Sequence, residues 1–250
     1  MQRKKLLLSS VFLILFLPRM LIAKEESKDN KVDTGLGITH KRELEHFDVI
    51  NLSGLGSLYL KQSATQNLSI EADNTILPLL KISVVNRVLN IEMREASSHE
   101  KAKIAYYLNV KTIKKINSSG GGSIVIEEGF NAQALNLSIN NLGEAHIKKL
   151  NVGNLNVKLA GGATMEVSGV ADQQSISING AAEFNGIKLS GQVANVNIND
   201  MGVAKVNVSN SLTAAIIGEG MVQYCGHPNI TRQATSSAAV ISPLPVKDCK

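Results

Sequence analysis

The segment LSINNLGEAHI at residues 137–147, followed by VKLAGGATMEV at residues 157–167, decides the fold of this chain. Each segment consists of an alternating apolar run, a corner of small residues and a second alternating run. The pattern recurs as INLSGLGSLYL (50–60), INSSGGGSIVI (116–126), ISINGAAEF (176–184), VNINDMGVAKV (196–206) and AAIIGEGMVQY (214–224). Alternation is typical of half-buried strands, and repetition about every 20 residues is typical of a solenoid. We therefore predict an all-β chain folded as a parallel β-helix, or solenoid, with coils of about 20 residues.

The apolar residues of the repeat predict which side chains fill the interior. We count positions from the second small corner residue of each copy, which we call the anchor: Gly56, Gly122, Gly143, Ala163, Ala182, Gly202 and Gly220. Residues at even distances from the anchor are mostly apolar, and successive residues of a strand point to opposite faces. We therefore expect each even position to form an inward stack, such as Ile139, Leu159, Ile178 and Ile198 at four residues before the anchor.

Residues at odd distances from the anchor are mostly polar and are expected on the outside. Asparagines recur there, and like amides on successive rungs can form hydrogen-bonded ladders. Glu127 and Glu128 fall one coil before Lys148 and Lys149, which predicts opposite charges on adjacent parallel strands. Three residues after the anchor lies the candidate binding face, which we call the outer column: Tyr59, Val125, His146, Glu166, Asn185, Lys205 and Gln223.

The N-terminus has the pattern of an export signal. Basic residues at 3–5 precede an apolar run at 6–17, and the small Ala23 precedes a polar segment. This pattern predicts a secretory signal peptide over residues 1–23 and an exported protein, located in the periplasm, at the cell surface or outside the cell. An uncleaved anchor is the alternative, because Arg19 lies between the apolar run and the predicted cleavage site.

Removal of the predicted signal peptide changes the charge balance of the chain. Four of its 26 basic residues leave, so that 22 remain against 21 acidic residues. A protein this close to neutrality has no general attraction for nucleic acid or anionic lipid. We therefore expect no nucleic-acid partner and no need for membrane association after signal cleavage.

Between and beyond these features, the sequence predicts a single domain with a short segment on each side. Residues 24–46 lack a sustained period and are predicted to be a linker or lead-in, in which His40 to Glu45 are compatible with a helical turn. Residues 47–230 are predicted to form the solenoid, and 231–250 a tail or cap. Prolines in that last segment interrupt strand pairing, which favours a cap on the open end of the stack.

The chain contains only two cysteines, Cys225 and Cys249. Export would bring them into an oxidising compartment, where disulfides form and persist. We predict a disulfide that ties the tail to the last rung. Two unpaired thiols are the alternative.

Several segments, in their order along the chain, resemble a known family. They are Phe47 to Ile50, Leu58 to Gln62, Leu68 to Asn74, Val88 to Ile91, the corner Ser119 to Gly122, and Tyr224 to Pro228. Together they are similar to the putative auto-transporter adhesin head domain, also called the GIN domain, over roughly residues 47–230. The resemblance implies a right-handed β-solenoid in secreted or envelope proteins, mostly of bacteria. It carries over no catalytic residue.

The sequence predicts no catalytic, cofactor or metal site. Cleavage of a sugar bond by acid–base catalysis needs two carboxylates about 5 to 10 Å apart. Glu144 and Glu183 share a corner position but are expected two rungs apart, about 10 Å, while Asp200 and Glu219 lie on the other side of the corner. The aromatic residues are scattered along the repeats, and the histidines and cysteines lack metal-ligand spacing.

These observations favour an exported, non-enzymatic β-solenoid that serves as an adhesin-like binding or scaffold protein of the bacterial cell envelope. The outer column would bind another protein or a surface glycan. The alternative is a periplasmic carbohydrate-active enzyme, a polysaccharide lyase or hydrolase built on a β-helix. A third reading is a structural envelope protein that self-associates end to end.

Overall fold

A computed structural model describes residues 32–33, 38–94 and 102–249 of the 250-residue chain. The predicted signal peptide lies outside these residues. Within them, 18 strands join in a single continuous sheet. Two short 3-10 helices, Leu77–Leu79 and Val246–Cys249, are the described helical segments.

The strands are short in the first coils and long in the regular repeats. In chain order they are β1 (Val32–Asp33), β2 (Ile38–Glu43), β3 (Val49–Ser53), β4 (Ser57–Gln62), β5 (Asn67–Ala72), β6 (Leu80–Val85), β7 (Val88–Met93), β8 (Ile104–Val110), β9 (Lys115–Gly120), β10 (Ser123–Ile126), β11 (Phe130–Asn141), β12 (Glu144–Gly161), β13 (Thr164–Gly180), β14 (Glu183–Asn199), β15 (Val203–Ile217), β16 (Met221–Cys225), β17 (Asn229–Ala234) and β18 (Val240–Pro243). The long strands bend through the corners of the coil, with register shifts at the bends.

Successive coils stack in parallel, and equivalent residues lie opposite one another. Ile139 pairs with Leu159, Leu159 with Ile178, and Ile178 with Ile198. None of these four side chains is more than 1% exposed. The predicted inward stack and the predicted parallel β-solenoid are both confirmed, and the solenoid has about six turns.

Each coil turns at the residue two positions before the anchor. Those residues have φ angles between 65° and 116° and are Gly54, Gly120, Asn141, Gly161, Gly180, Asp200 and Gly218. Residues with a Cβ rarely adopt such a conformation, and glycine, asparagine and aspartate tolerate it best. The anchor itself is small because it packs against the inward stack: a Cβ on Gly143 would lie 2.7 Å from Ile139 Cγ2.

The strands reverse direction at the N-terminal end of the stack. β2 pairs antiparallel with β5, β5 with β8, and β6 with β7. The helical turn predicted over His40 to Glu45 was therefore wrong, because Ile38 to Glu43 form a strand instead. The unpaired edge of β5 provides hydrogen-bond partners for that backbone, and this long-range pairing overrides the local preference.

At the C-terminal end the stack continues beyond the last regular repeat. β17 and β18 pair parallel with β15 and β16, so that strand pairing extends into the segment predicted as a tail or cap. The side chains of β17 are largely exposed, which is why this strand lacks the alternating pattern that identified the others. Cys225 and Cys249 form a disulfide with their Cα atoms 5.7 Å apart. A cross-link of this span stabilises a folded chain by about 3 kcal/mol.

Candidate binding surface

The outer column is continuous along the solenoid. Tyr59 pairs with Val125, and Val125 with His146. The column then passes through the remaining predicted members, Glu166, Asn185, Lys205 and Gln223, one on each successive rung. Rungs of a parallel sheet lie about 4.8 Å apart, so these side chains form one line on the surface.

The structure adds Tyr107, which the sequence pattern missed, to this line. Tyr107 pairs with Tyr59 because β4 and β8 are parallel neighbours. The first coils contain a hairpin and antiparallel strands, so the spacing between equivalent residues there is not the regular one. The available signal was the Tyr106-Tyr107 pair itself, in which one ring had to point inward and the other outward.

Tyr59 and Tyr107 form a stacked aromatic pair on the surface. Their ring centroids are 5.1 Å apart and their planes differ by 17°. The two residues are 39% and 44% exposed, whereas Tyr106 and Phe184 are fully buried. The expectation that the aromatic residues are scattered is therefore wrong for this pair, because parallel stacking joins positions that are distant in the sequence.

The hydroxyl group of Tyr107 is held by a carboxylate. It donates a hydrogen bond of 3.2 Å to Glu71 Oε2. Partial burial, together with the neighbouring Glu71 charge, raises the pKa of Tyr107 above its usual value. The phenol therefore stays protonated at physiological pH and fixes the Glu71 carboxylate beside the aromatic pair.

An open groove of about 570 Å³ runs beside the two tyrosines. Its floor consists of three small residues on successive rungs, Ala105, Ser57 and Ser123. Ser123 Oγ and Ser57 Oγ lie within hydrogen-bond distance, at 2.8 Å. The groove is also lined by Tyr59, Tyr107, Glu71, Asp73, Lys103 and Leu55. Small residues between larger neighbours create the depression, and its surface carries both aromatic and hydrogen-bonding groups.

Farther along the outer column, ionisable side chains lie close to one another. His146 lies 3.8 Å from Glu144 and 3.9 Å from Glu166, and Lys205 lies 3.2 Å from Glu183. Exposed pairs of this kind contribute about 0 to 1 kcal/mol each. This part of the column is therefore a mixed-charge surface.

The carboxylates considered for catalysis lie where the sequence placed them. Thr164 separates Glu144 from Glu183 in the ladder, so the two glutamates are two rungs apart. Glu183 contacts Lys205, and Asp200 forms part of a corner. In the described part of the chain, no three His, Cys, Asp or Glu side chains are grouped in a way that could hold a metal ion. No helix in the same ranges is long and apolar enough to cross a membrane.

A second outward surface carries amide ladders. Asn117 donates to Asn51, and Asn51 donates to Asn90, each at 2.8 Å. Asn199 donates to Asn179 at the same distance. The predicted asparagine ladders are confirmed, and they link neighbouring coils through side chains as well as backbone.

Of the two predicted Glu–Lys pairs, the structure contains one. Lys148 binds Glu127 at 2.6 Å, as the register predicts. Glu128 instead binds Lys61, also at 2.6 Å. The predicted pair between Glu128 and Lys149 was wrong. Lys149 has a φ of 54°, so the backbone turns there and its side chain does not lie opposite Glu128.

Comparisons with known proteins agree with this architecture. The family described as "Putative auto-transporter adhesin, head GIN domain" matches residues 46–228. The crystal structure of a "putative adhesin" from Bacteroides fragilis has a TM-score of 0.76 and 23% identity, and the match covers 83% of this chain and 96% of that chain. A "putative adhesin" from Parabacteroides merdae has a TM-score of 0.67 and 20% identity, with coverage of 83% and 95%.

A third similar structure has a different description. It is a "Putative lipid binding protein" from Parabacteroides distasonis, with a TM-score of 0.66, 21% identity and coverage of 83% of this chain and 96% of that chain. At these identities, all three similarities show a shared fold. Among curated proteins, none matches the chain.

Proposed function

Because the chain belongs to the putative auto-transporter adhesin, head GIN domain family, we propose that it is an exported, non-enzymatic binding protein of the cell envelope. The family description supports a place at the cell surface or outside the cell. The basic, apolar and small-residue pattern of residues 1–23 supports export.

The observation that carries the proposal is the unbroken outer column. Each rung is hydrogen-bonded to the rungs on both sides, so the side chains of the column project from a rigid support. A preformed surface binds without the entropic cost of ordering a loop. Its groups, two tyrosines followed by charged and amide side chains, suit a partner with both apolar and hydrogen-bonding groups. A protein or a surface glycan has that chemistry.

The binding role can be tested with two variants that carry the same charge change on one strand. Glu166 lies in the outer column, and Asp172 is exposed elsewhere on β13. We expect Glu166→Arg to weaken binding of the purified protein to cells or envelope extracts about tenfold, and Asp172→Arg to leave it unchanged. Binding that neither variant affects would count against the outer column, and absence of any binding would overturn the proposed function.

Export and location require a separate measurement on intact cells. We expect the mature protein to begin after Ala23, and a membrane-impermeant amine reagent to label exposed lysines such as Lys148 and Lys149. Labelling only after the outer membrane is opened would place the protein in the periplasm. An unprocessed cytoplasmic protein would contradict the proposal.

The enzymatic alternative predicts a different result. A lyase or hydrolase would turn over at least one member of a polysaccharide panel, and Glu144→Gln or Glu183→Gln would abolish that turnover. We expect no turnover. Activity that depends on either carboxylate would replace the binding role with a catalytic one.

A further inference from the structure

We propose that the groove beside Tyr59 and Tyr107 is a glycan-binding subsite that accepts a neutral sugar unit with adjacent hydroxyl groups. This inference rests on the proposed binding function and specifies the ligand chemistry of one end of the outer column. The groove is a surface depression of about 570 Å³. Its lining combines aromatic rings, hydroxyl groups and charged groups.

The aromatic pair provides the apolar contact that a sugar ring requires. In the stack, each tyrosine ring covers one face of the other. On the far side of the stack, Tyr59 pairs with Val125 and Tyr107 pairs with Ser69, and both partners are smaller than tyrosine. About two fifths of each tyrosine is exposed. Tyr is enriched where proteins bind partners, because its ring supplies apolar area and its hydroxyl supplies a hydrogen-bonding group. The C–H face of a sugar ring can pack against such a surface.

The polar groups of the groove suit the hydroxyl groups of the same ring. Ser57 and Ser123 form the floor, where their hydroxyls can donate and accept hydrogen bonds. Glu71 and Asp73 can accept from hydroxyl groups, and Lys103 can donate to them. The bond from Tyr107 already orients the Glu71 carboxylate. A bound sugar would therefore meet a largely preorganised set of partners.

The same lining disfavours other ligand classes. Two carboxylates face a single lysine, which disfavours a phosphate or another anionic group. The apolar lining residues Leu55, Ile104 and Ala105 are interrupted by the hydroxyls of Ser57 and Ser123 and by charged groups, so the groove lacks the continuous apolar surface that an acyl chain requires. The floor spans three rungs, about 10 Å, which is enough for one or two sugar rings.

The test measures binding of purified residues 24–250 to an array of neutral and acidic oligosaccharides, followed by calorimetric titration of the best neutral one. We expect Tyr59→Ala and Tyr107→Ala each to weaken binding about tenfold or more. Tyr107→Phe keeps the ring but loses the hydrogen bond to Glu71, so we expect a smaller loss. Asp172→Arg, which lies on β13 outside the outer column, should leave glycan binding unchanged. Circular dichroism and Tm of every variant check that the fold is retained.

The outcomes separate this inference from the proposed function. Cell binding that is sensitive to Glu166→Arg, without binding to any glycan, would overturn the glycan subsite and leave the binding role intact. If the wild-type protein binds neither cells nor any glycan, both the proposed binding function and the glycan subsite are overturned. Tyrosine-dependent binding to phosphatidylglycerol or phosphatidylcholine vesicles, in place of glycans, would assign the groove to lipid and contradict the inference.

Discussion

At the scale of single residues, the corner of each coil depends on one backbone conformation. The position two before the anchor has a positive φ in every repeat, and most repeats have glycine there. Asp200 is an exception, with a φ of 89°. A non-glycine residue in this region costs of order 1–3 kcal/mol, which the hydrogen bonds of the neighbouring rungs offset. The backbone amide of Asp200 donates a hydrogen bond of 2.7 Å to the Ile217 carbonyl, which helps to hold the strained turn.

This strain predicts that Asp200→Gly stabilises the protein. The relief of a positive φ outweighs the entropic cost of glycine, so we expect an increase of up to about 1 kcal/mol, or roughly 2–4 °C in Tm. Gly180 has a φ of 91° in the same column, so Gly180→Ala should lower Tm by at least as much. Thermal unfolding followed by circular dichroism measures both changes. Asp200→Ala removes the carboxylate but keeps a Cβ, and a Tm equal to that of Asp200→Gly would contradict the backbone explanation.

At the scale of elements, Asp48 joins three segments of the first coils. Its carboxylate binds Arg87, in the turn between β6 and β7, and Lys114, just before β9, both at 2.8 Å. Its backbone amide donates to the Arg87 carbonyl, and its own carbonyl accepts from the Lys114 amide. Only 10% of the Asp48 side chain is exposed. The residue therefore fixes the hairpin and the start of the regular repeats against β3.

The Asp48 clamp predicts a pH-dependent contribution to stability. The hydrogen bond from Lys114, with the positive charge of Arg87, holds the pKa of Asp48 below its usual value despite the opposing effect of burial. A carboxyl group whose pKa is lower in the folded than in the unfolded state stabilises the protein at pH values above its unfolded-state pKa, which is about 4. This stabilisation is lost as the pH falls through the folded-state pKa. Asp48→Asn should therefore lower Tm by roughly 3–10 °C at pH 7, and by progressively less as the pH falls below about 4.

Thermal unfolding of wild type and Asp48→Asn between pH 7 and pH 3 measures this difference. Glu92→Gln is the control, because Glu92 forms an exposed pair with Lys81 at 3.4 Å. Its Tm should stay within about 2 °C of wild type at pH 7. A Tm difference for Asp48→Asn that stays constant over the whole pH range would show that the charge is not involved.

At the scale of the whole molecule, the two ends of the stack are protected from pairing with other chains in different ways. Antiparallel strands cover the N-terminal end, where β2 lies on β5 and β6 lies on β7. At the C-terminal end, Arg232 occupies the inward column of Val196 and Ala214. Arg232 is exposed, and Pro243 in the neighbouring strand cannot donate a backbone hydrogen bond. A charge at an inward position on an edge opposes pairing with another chain.

Arg232 therefore predicts a monomeric wild-type protein, and its removal should permit end-to-end association. We expect Arg232→Leu to form dimers or longer assemblies with increasing concentration, because the last rung would then present an apolar inward row. Light scattering after size exclusion measures the mass of each species. Arg232→Lys keeps the charge and should behave as wild type. Assembly of the wild type itself, or a Leu variant that stays monomeric at all concentrations, would contradict this role.

The repeated pattern of the sequence was sufficient to predict the solenoid, its coil length and its inward stacks. In this fold, alternation along a strand determines which face a side chain takes, and a nearly constant period determines what lies above and below it. For Ile139, Leu159, Ile178 and Ile198, and for Tyr59 through Gln223, position in the repeat was therefore equivalent to position in space. These assignments require no knowledge of long-range contacts.

The tyrosine pair, the groove, the Asp48 clamp and the role of Arg232 were decided only by the tertiary structure. All of them lie in the end regions, where the period is interrupted by a hairpin, by antiparallel strands or by an exposed last rung. Pairing there joins residues at irregular separations, such as Tyr59 with Tyr107 and Asp48 with Lys114. The physical reason is that strand edges are completed by whichever backbone can satisfy their hydrogen bonds, and a local sequence pattern does not specify that partner.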